Sequence, residues 1–135
     1  NHYTSPSQLL EEMERALASE LIRLNPPAKS VGEILDHTEQ SCILLKENAT
    51  LFHILVRYHI DRDLENIIKR IAQHYGEHRI DTSHTELDED TLHLVSSYLY
   101  TGCYALIREW LLRDISKSPR EIAQLLVDIV SKDYL

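Results

Sequence analysis

The sequence predicts an all-helical bundle. Three observations carry this. Apolar residues recur at spacings of three and four along the whole chain, with no alternating strand pattern. Turn formers are scarce, with Gly 3 and Pro 4 in 135 residues. Small polar residues that cap helices stand just before most of the periodic stretches. The length is one domain's worth, enough to bury a core without disulfides or a metal.

The elements follow in order. Ser5-Pro6-Ser7-Gln8 supplies an N-cap, a proline at the first helical position and a Gln at N3. Leu10, Met13, Leu17, Leu21 and Leu24 then form one narrow stripe, and Asn25-Pro26-Pro27 ends the helix. Ser30 caps a second helix, with Glu33 at N3, in which Val31, Ile34, Leu35, Thr38, Cys42 and Leu45 share a face. Asn48 opens a short helix carrying Leu51, Phe52, Ile54 and Leu55 that ends near Tyr58-His59. After a charged turn at Asp61–Asp63, a fourth stripe runs through Leu64, Ile67, Ile68, Ile71 and Tyr75. The polar stretch Gly76–Ser83 is expected to break that helix. The acidic stretch Thr85–Asp90 leads into a long one, from about Asp90 to Asp114. Ser118-Pro119-Arg120-Glu121 is a capping box for the last helix, whose broad face holds Ile122, Leu125, Leu126, Ile129 and Val130. The expected count is six or seven helices, with no internal repeat or low-complexity segment.

The long helix is the centre of the chain. At 100° per residue, Leu92, Val95, Leu99, Gly102, Leu106 and Trp110 form a continuous stripe. Tyr100, Tyr104, Ile107 and Leu111 flank it on one side, and Leu94, Tyr98, Ala105 and Leu112 lie on the other. Only a narrow strip with Ser97, Thr101 and Arg108 is clearly polar. A helix apolar on most of its circumference needs more than one partner. Two adjacent helices with over-wide apolar faces suggest an intersubunit four-helix bundle with two-fold symmetry. The seam expected there comprises Leu99, Gly102, Leu106, Trp110, Ile122, Leu126 and Ile129. Periodicity alone leaves open which stripe faces a partner and which faces the subunit's own core.

The formal net charge of −8 and the lack of a basic run argue against nucleic-acid binding by this chain alone. Cys42 and Cys103 are far apart inside predicted helices, which suits a reducing cytoplasm better than a disulfide frame. No apolar run approaches the roughly 18 residues of a membrane helix, and no signal peptide opens the chain.

Chemistry has little support. No GxSxG, phosphate loop, GxGxxG or CxxC is present, so no catalytic residue and no cofactor are expected. His74 and His78 stand four apart, a spacing that can hold a metal with Glu77 or His84. Histidines near a helix C-terminus also favour its dipole, however, and no metal site is expected. Thr38 and Cys42 interrupt an apolar stripe and could mark a pocket wall, although an ordinary helical core tolerates both. Tyr58, Tyr75, Tyr98, Tyr100 and Tyr104 fall on or beside apolar faces, where they could line a small-molecule cavity or fill core and dimer packing.

Two patterns carry a resemblance. Tyr98-x3-Gly102, Ile107-x2-Trp110, Ser118-Pro119-Arg120-Glu121 and Leu125-Leu126 resemble the C-terminal half of TetR-family transcriptional regulators of the Gram-positive type. Asp114 departs from the family's frequent Gly four residues after the Trp. The opening NHYTSPSQLL resembles the junction between the DNA-reading helix and the connecting helix, with His2-Tyr3 and Leu9-Leu10 matching and Pro6 replacing a common Lys. The two matches bracket nearly the whole chain.

The resemblance implies a TetR-like C-terminal bundle whose last two helices make a homodimer. Residues 1–4 would be the remnant of a helix-turn-helix domain, with His2 and Tyr3 proximal to DNA. Residues 5–135 would be the effector-binding and dimerisation domain of a cytoplasmic bacterial regulator. The family's DNA-binding domain, about fifty residues in the family, would be absent here, so DNA would be reached only through it. The expected effector is an unidentified small molecule, with Thr38, Cys42, Phe52, Tyr75, Tyr98 and Cys103 as candidate lining. The alternative is a helical interaction module or co-regulator without a small-molecule ligand.

Overall fold

The computed structural model describes residues 5–83 and 87–131, with backbone alone for 77–83. Six helices and no strand are found among them: α1 (Pro6–Arg23), α2 (Val31–Glu47), α3 (Ala49–Arg57), α4 (Arg62–Ser83), α5 (Glu89–Leu112) and α6 (Pro119–Ser131). His2 and Tyr3 lie outside the described residues, as does the side chain of His78.

Capping sets the starts. Ser5 Oγ accepts from Gln8 N, and Ser30 Oγ accepts from Glu33 N. Asp88 Oδ1 accepts from Thr91 N at 2.6 Å. Both halves of the box at Ser118 are made: its Oγ accepts from Glu121 N at 3.1 Å, and Glu121 Oε1 accepts from Ser118 N at 3.0 Å. Asn48 joins α2 to α3 differently. Its side chain caps nothing ahead of it, and its Nδ2 donates back to Leu44 O.

Two helices end in the left-handed conformation without glycine. His59 has φ 59° and Asp114 φ 50°. At each the chain makes the paired Schellman bonds: Ile60 N to Leu55 O and His59 N to Val56 O, then Ile115 N to Trp110 O and Asp114 N to Leu111 O. The turn at which the resemblance would place Gly is made here by Asp114. The Asp114 carboxylate also meets Lys46 Nζ at 3.1 Å. The same lysine lies 5.4 Å from the centre of the Trp110 ring.

α5 is the hub, packed against α3, α4 and α6, while α1 lies along α4 and α6 along α2. Trp110, Phe52, Leu21, Leu45, Leu55, Leu64 and Leu111 are the largest fully enclosed side chains. Trp110 Nε1 satisfies its one donor on Lys117 O, which ties the α5–α6 connection to the core. α4 does not break at Gly76, as the sequence suggested, but continues to Ser83. Gly76 marks a close approach: a Cβ there would lie 2.4–2.9 Å from the Tyr100 ring and hydroxyl.

Glu14, the one buried charged residue among those described, fastens α1 to α4. Its carboxylate accepts from Leu64 N at 2.9 Å, one of the donors left open by the first turn of α4. Asp61, beside that turn, instead accepts from Tyr104 OH at 2.7 Å and so ties it to α5. Burial, then the nearby Asp63 and Asp61, hold Glu14 above its ordinary value of 4.5, against the opposing Leu64 bond.

Asp114→Gly relieves the left-handed strain and should stabilise by about 0.5–1 kcal/mol in urea melts. Gly76→Ala should destabilise by about 1–3 kcal/mol, because overpacking against Tyr100 outweighs the better helix propensity of Ala. Glu14→Gln should be more stable than wild type at pH 7, with an advantage that shrinks as the pH falls through the raised folded value and levels off below 4.5. The sign follows from linkage. A raised carboxylate contributes stability that is present below its unfolded value and lost as pH rises through the folded one. A neutral isostere never suffers that loss.

Candidate functional site

A cavity of about 90 Å³ lies where α1, α2, α4, α5 and α6 converge. Its wall is mostly aliphatic, with Leu21 of α1, Ile34 and Leu45 of α2, Ile68 and Ile71 of α4, Ile107 of α5, and Leu126 and Val130 of α6. The amphipathic stripes read from the sequence place these residues here, because each helix turns its apolar face to a common centre. The volume is far below the roughly 300–1,000 Å³ of pockets that hold drug-sized ligands. It is of the order of the ~150 Å³ apolar cavity that admits benzene.

Of the six residues expected at an effector site, Thr38, Cys42, Tyr75 and Cys103 line this cavity. Phe52 does not: it is fully buried and packs its ring against Tyr104, with centroids 6.5 Å apart. Tyr98 does not either, being 79% exposed on the outer side of α5. Both were drawn in by their aromatic character. Periodicity placed neither relative to helices that are distant in sequence.

One end of the cavity is polar. The Asn25 amide, just beyond α1, donates from Nδ2 to Leu21 O at 2.7 Å and to Ser41 Oγ at 2.8 Å. This orientation turns Oδ1 toward Tyr75, whose hydroxyl donates to it at 3.1 Å. With its proton so used, the Tyr75 hydroxyl accepts from His37 Nδ1 at 3.1 Å, which makes Nδ1 the protonated ring nitrogen. Ser41 Oγ donates to His37 O at 3.0 Å, which closes the loop. Four side chains thereby knit the end of α1 to α2 and α4. Burial pushes the Tyr75 hydroxyl up to about 12, so it stays a neutral donor at any ordinary pH. Burial likewise raises the thiols, Cys42 to about 12, with Glu39 adding to the effect, and Cys103 to about 11. Neither thiol has thiolate character.

Asn25, His37 and Ser41 were not singled out from sequence. Asn25 read only as a helix stop before two prolines, and His37 and Ser41 carried no local signal. Asn25, Ile71 and Tyr75 also line a shallower groove of about 370 Å³ on the outer surface between α1 and α4. These three residues form the partition between the groove and the cavity.

The residues expected at a subunit seam divide. Leu99, Trp110, Ile122 and Leu126 are buried inside their own chain, and Leu106 and Ile129 are half-buried. Gly102 is exposed, with open space where a Cβ would stand. The apolar residues α5 leaves exposed are on a neighbouring face, with Leu94 at 68% and Tyr98 at 79%, then Gly102 and Ala105 one and two turns on. Leu125 of α6 is exposed as well. Of the continuous stripe, Leu99 and Trp110 are buried, Leu92, Val95 and Leu106 half-buried and Gly102 exposed, whereas Leu94, Tyr98 and Ala105 of the flanking side are all exposed. No group of three or more metal-ligating side chains occurs among the described residues, and no described helix is long and apolar enough to cross a membrane.

Residues 32–132 match a family model described as the transcriptional regulator C-terminal region of the TetR type. No curated protein and no solved structure gives a significant match. The match takes in α2, from its second residue, to α6, and so every cavity-lining residue except Leu21, Asn25 and Val31. The chain belongs to this family and is the regulatory, C-terminal region of a TetR-type transcriptional regulator.

Proposed function

We propose that the cavity is an effector site and that the exposed stripe of α5 pairs with a second copy of the chain. The observation that carries the effector reading is the position of α1. Leu21 of that helix and Asn25 just beyond it form part of the cavity wall, and the resemblance of NHYTSPSQLL to the family's junction points to a DNA-reading domain at the helix's other end. A bound molecule would touch α1 directly. It would favour one placement of α1 relative to α2 and α4, and so change the spacing of two recognition helices against a half-site repeat of about 34–36 Å. Residues 5–135 act in this reading as the effector-binding and dimerisation domain, residues 1–4 as the edge of the DNA-binding one. The regulator works in the bacterial cytoplasm, and the region has no catalytic role. An interaction module without a ligand draws support from the small cavity volume.

Dimerisation is supported by the uncovered flank of Leu94, Tyr98, Gly102, Ala105 and Leu125. Large apolar side chains each contribute about 1.5–3 kcal/mol on burial, and two-fold symmetry doubles the set. The missing side chain at Gly102 lets a partner backbone come close.

Light scattering on the purified chain at micromolar concentration should give a dimer. Tyr98→Glu should yield a folded monomer, because the residue lies outside the protomer core. Leu126→Glu should unfold the chain instead, because it puts a charge into that core. A monomeric wild type would defeat the dimer reading. A dimeric Tyr98→Glu would move the seam elsewhere. For the effector reading, a ligand at a hundredfold excess over its Kd should stabilise the fold by about 2.7 kcal/mol, read as a rise in Tm. A cavity that no small molecule enters would leave the interaction module as the better account.

A further inference from the structure

The polar hydrogens around the cavity are all spoken for. Asn25 commits both amide hydrogens, to Leu21 O and Ser41 Oγ. Thr38 Oγ1 donates to Ile34 O at 2.7 Å, Ser41 Oγ to His37 O, Tyr75 OH to Asn25 Oδ1, and Ser131 Oγ to Val127 O. The remaining protic groups of the wall are two neutral thiols, which are weak donors. What the polar groups still offer is oxygen lone pairs. Thr38 offers the most, because its hydroxyl donates once and accepts nothing, whereas the hydroxyls of Ser41 and Tyr75 each accept one bond already. No charged side chain lines the cavity among the described residues.

We infer that the cavity selects a small uncharged apolar molecule carrying one hydrogen-bond donor, such as an alcohol or phenol of single-ring size, with Thr38 Oγ1 as the acceptor. This rests on the effector reading and sharpens it to a ligand class. An anion would shed its hydration and find no donor in exchange, a large uncompensated cost. A cation would shed its hydration and meet no carboxylate in the wall. A molecule with acceptors alone, an aldehyde or ketone, would bury a carbonyl against other oxygens. A pure hydrocarbon would fit and bind through apolar burial, but would leave the Thr38 lone pairs unused.

The test is calorimetric titration of the whole chain with four probes of similar size: phenol, toluene, benzaldehyde and benzoate. Phenol should bind roughly two- to tenfold more tightly than toluene or benzaldehyde, the ratio that one net hydrogen bond supplies. Benzoate should give no heat above dilution. In Thr38→Val, an isosteric change at a half-buried helical position, toluene should bind as before and phenol should fall to parity with it. Benzaldehyde or benzoate binding as well as phenol would overturn the inference while leaving the cavity a ligand site. So would an undiminished phenol preference in Thr38→Val. Failure of phenol and toluene alike would overturn both the inference and the effector reading beneath it. If Thr38→Val does not fold, the ranking of the four probes on wild type decides by itself.

Discussion

The structure depends on the need to cover α5. This 24-residue helix is apolar on most of its circumference, and no single neighbour can enclose it. α3, α4 and α6 pack around it, and the residues facing them include Tyr100, Tyr104, Ile107, Trp110 and Leu111, all buried. The arrangement fixes much else. Tyr100 can reach its place only because Gly76 presents bare backbone on α4. Trp110 can be buried only because the α5–α6 connection curls back to offer the Lys117 carbonyl, through a left-handed Asp114. What the three neighbours leave over is the flank of Leu94, Tyr98 and Ala105.

α1 is held in a different manner, by polar contacts at its middle and just past its C-terminal end. At the middle the Glu14 carboxylate sits on the first turn of α4, and beyond the C-terminal end the Asn25 amide joins Ser41 and Tyr75. Apolar contacts between these points, through Leu17 and Leu21, are non-directional and tolerate small sliding. The hydrogen bonds do not, since they weaken steeply with misalignment. The cavity adjoins the second of these fasteners and not the first. A molecule that altered the Asn25 end would shift α1 about its Glu14 anchor, a lever rather than a translation.

The elements were legible because their signals are local. The Ser5, Ser30 and Ser118 caps lie within four residues of the groups they bond, and the prolines at 6 and 119 lie beside them. Half-legible was the site. The interrupted stripe at Thr38 and Cys42 and the helix-face tyrosine at 75 announced polar atoms among aliphatic ones, and these three line the cavity with Cys103. Tyr98 and Phe52 carried the same signal, but their surroundings are set by α3 and α5 meeting across more than forty residues of chain. The hydrogen-bonded loop was illegible for the same reason. His37 and Tyr75 are 38 residues apart and Tyr75 and Asn25 are 50 apart, so no window of sequence holds them together. Periodicity left open which face of α5 meets its own chain, because a helical wheel gives the period of the apolar residues, not the direction from which neighbours arrive. Glu14 carried no signal of its own, since nothing local distinguishes it from Glu11 or Glu12.

One consequence joins the cavity to the uncovered flank. Cys103 and Ile107 of α5 line the cavity, whereas Gly102 and Ala105 of the same helix look outward. In an α-helix residues one or two apart point in widely different directions, so a single rigid rod separates the two surfaces. A close-packed helix transmits a displacement at one side to the other, because its interior cannot be compressed locally. If copies of the chain pair through that flank, ligand affinity and subunit association share α5, and their coupling must be reciprocal. A ligand that tightens association must itself bind more tightly to the associated form. A ligand acting only through Asn25 and α1 would leave association unchanged. The dependence of ligand affinity on protein concentration therefore distinguishes a signal carried along α1 within one subunit from a signal carried through α5 between two.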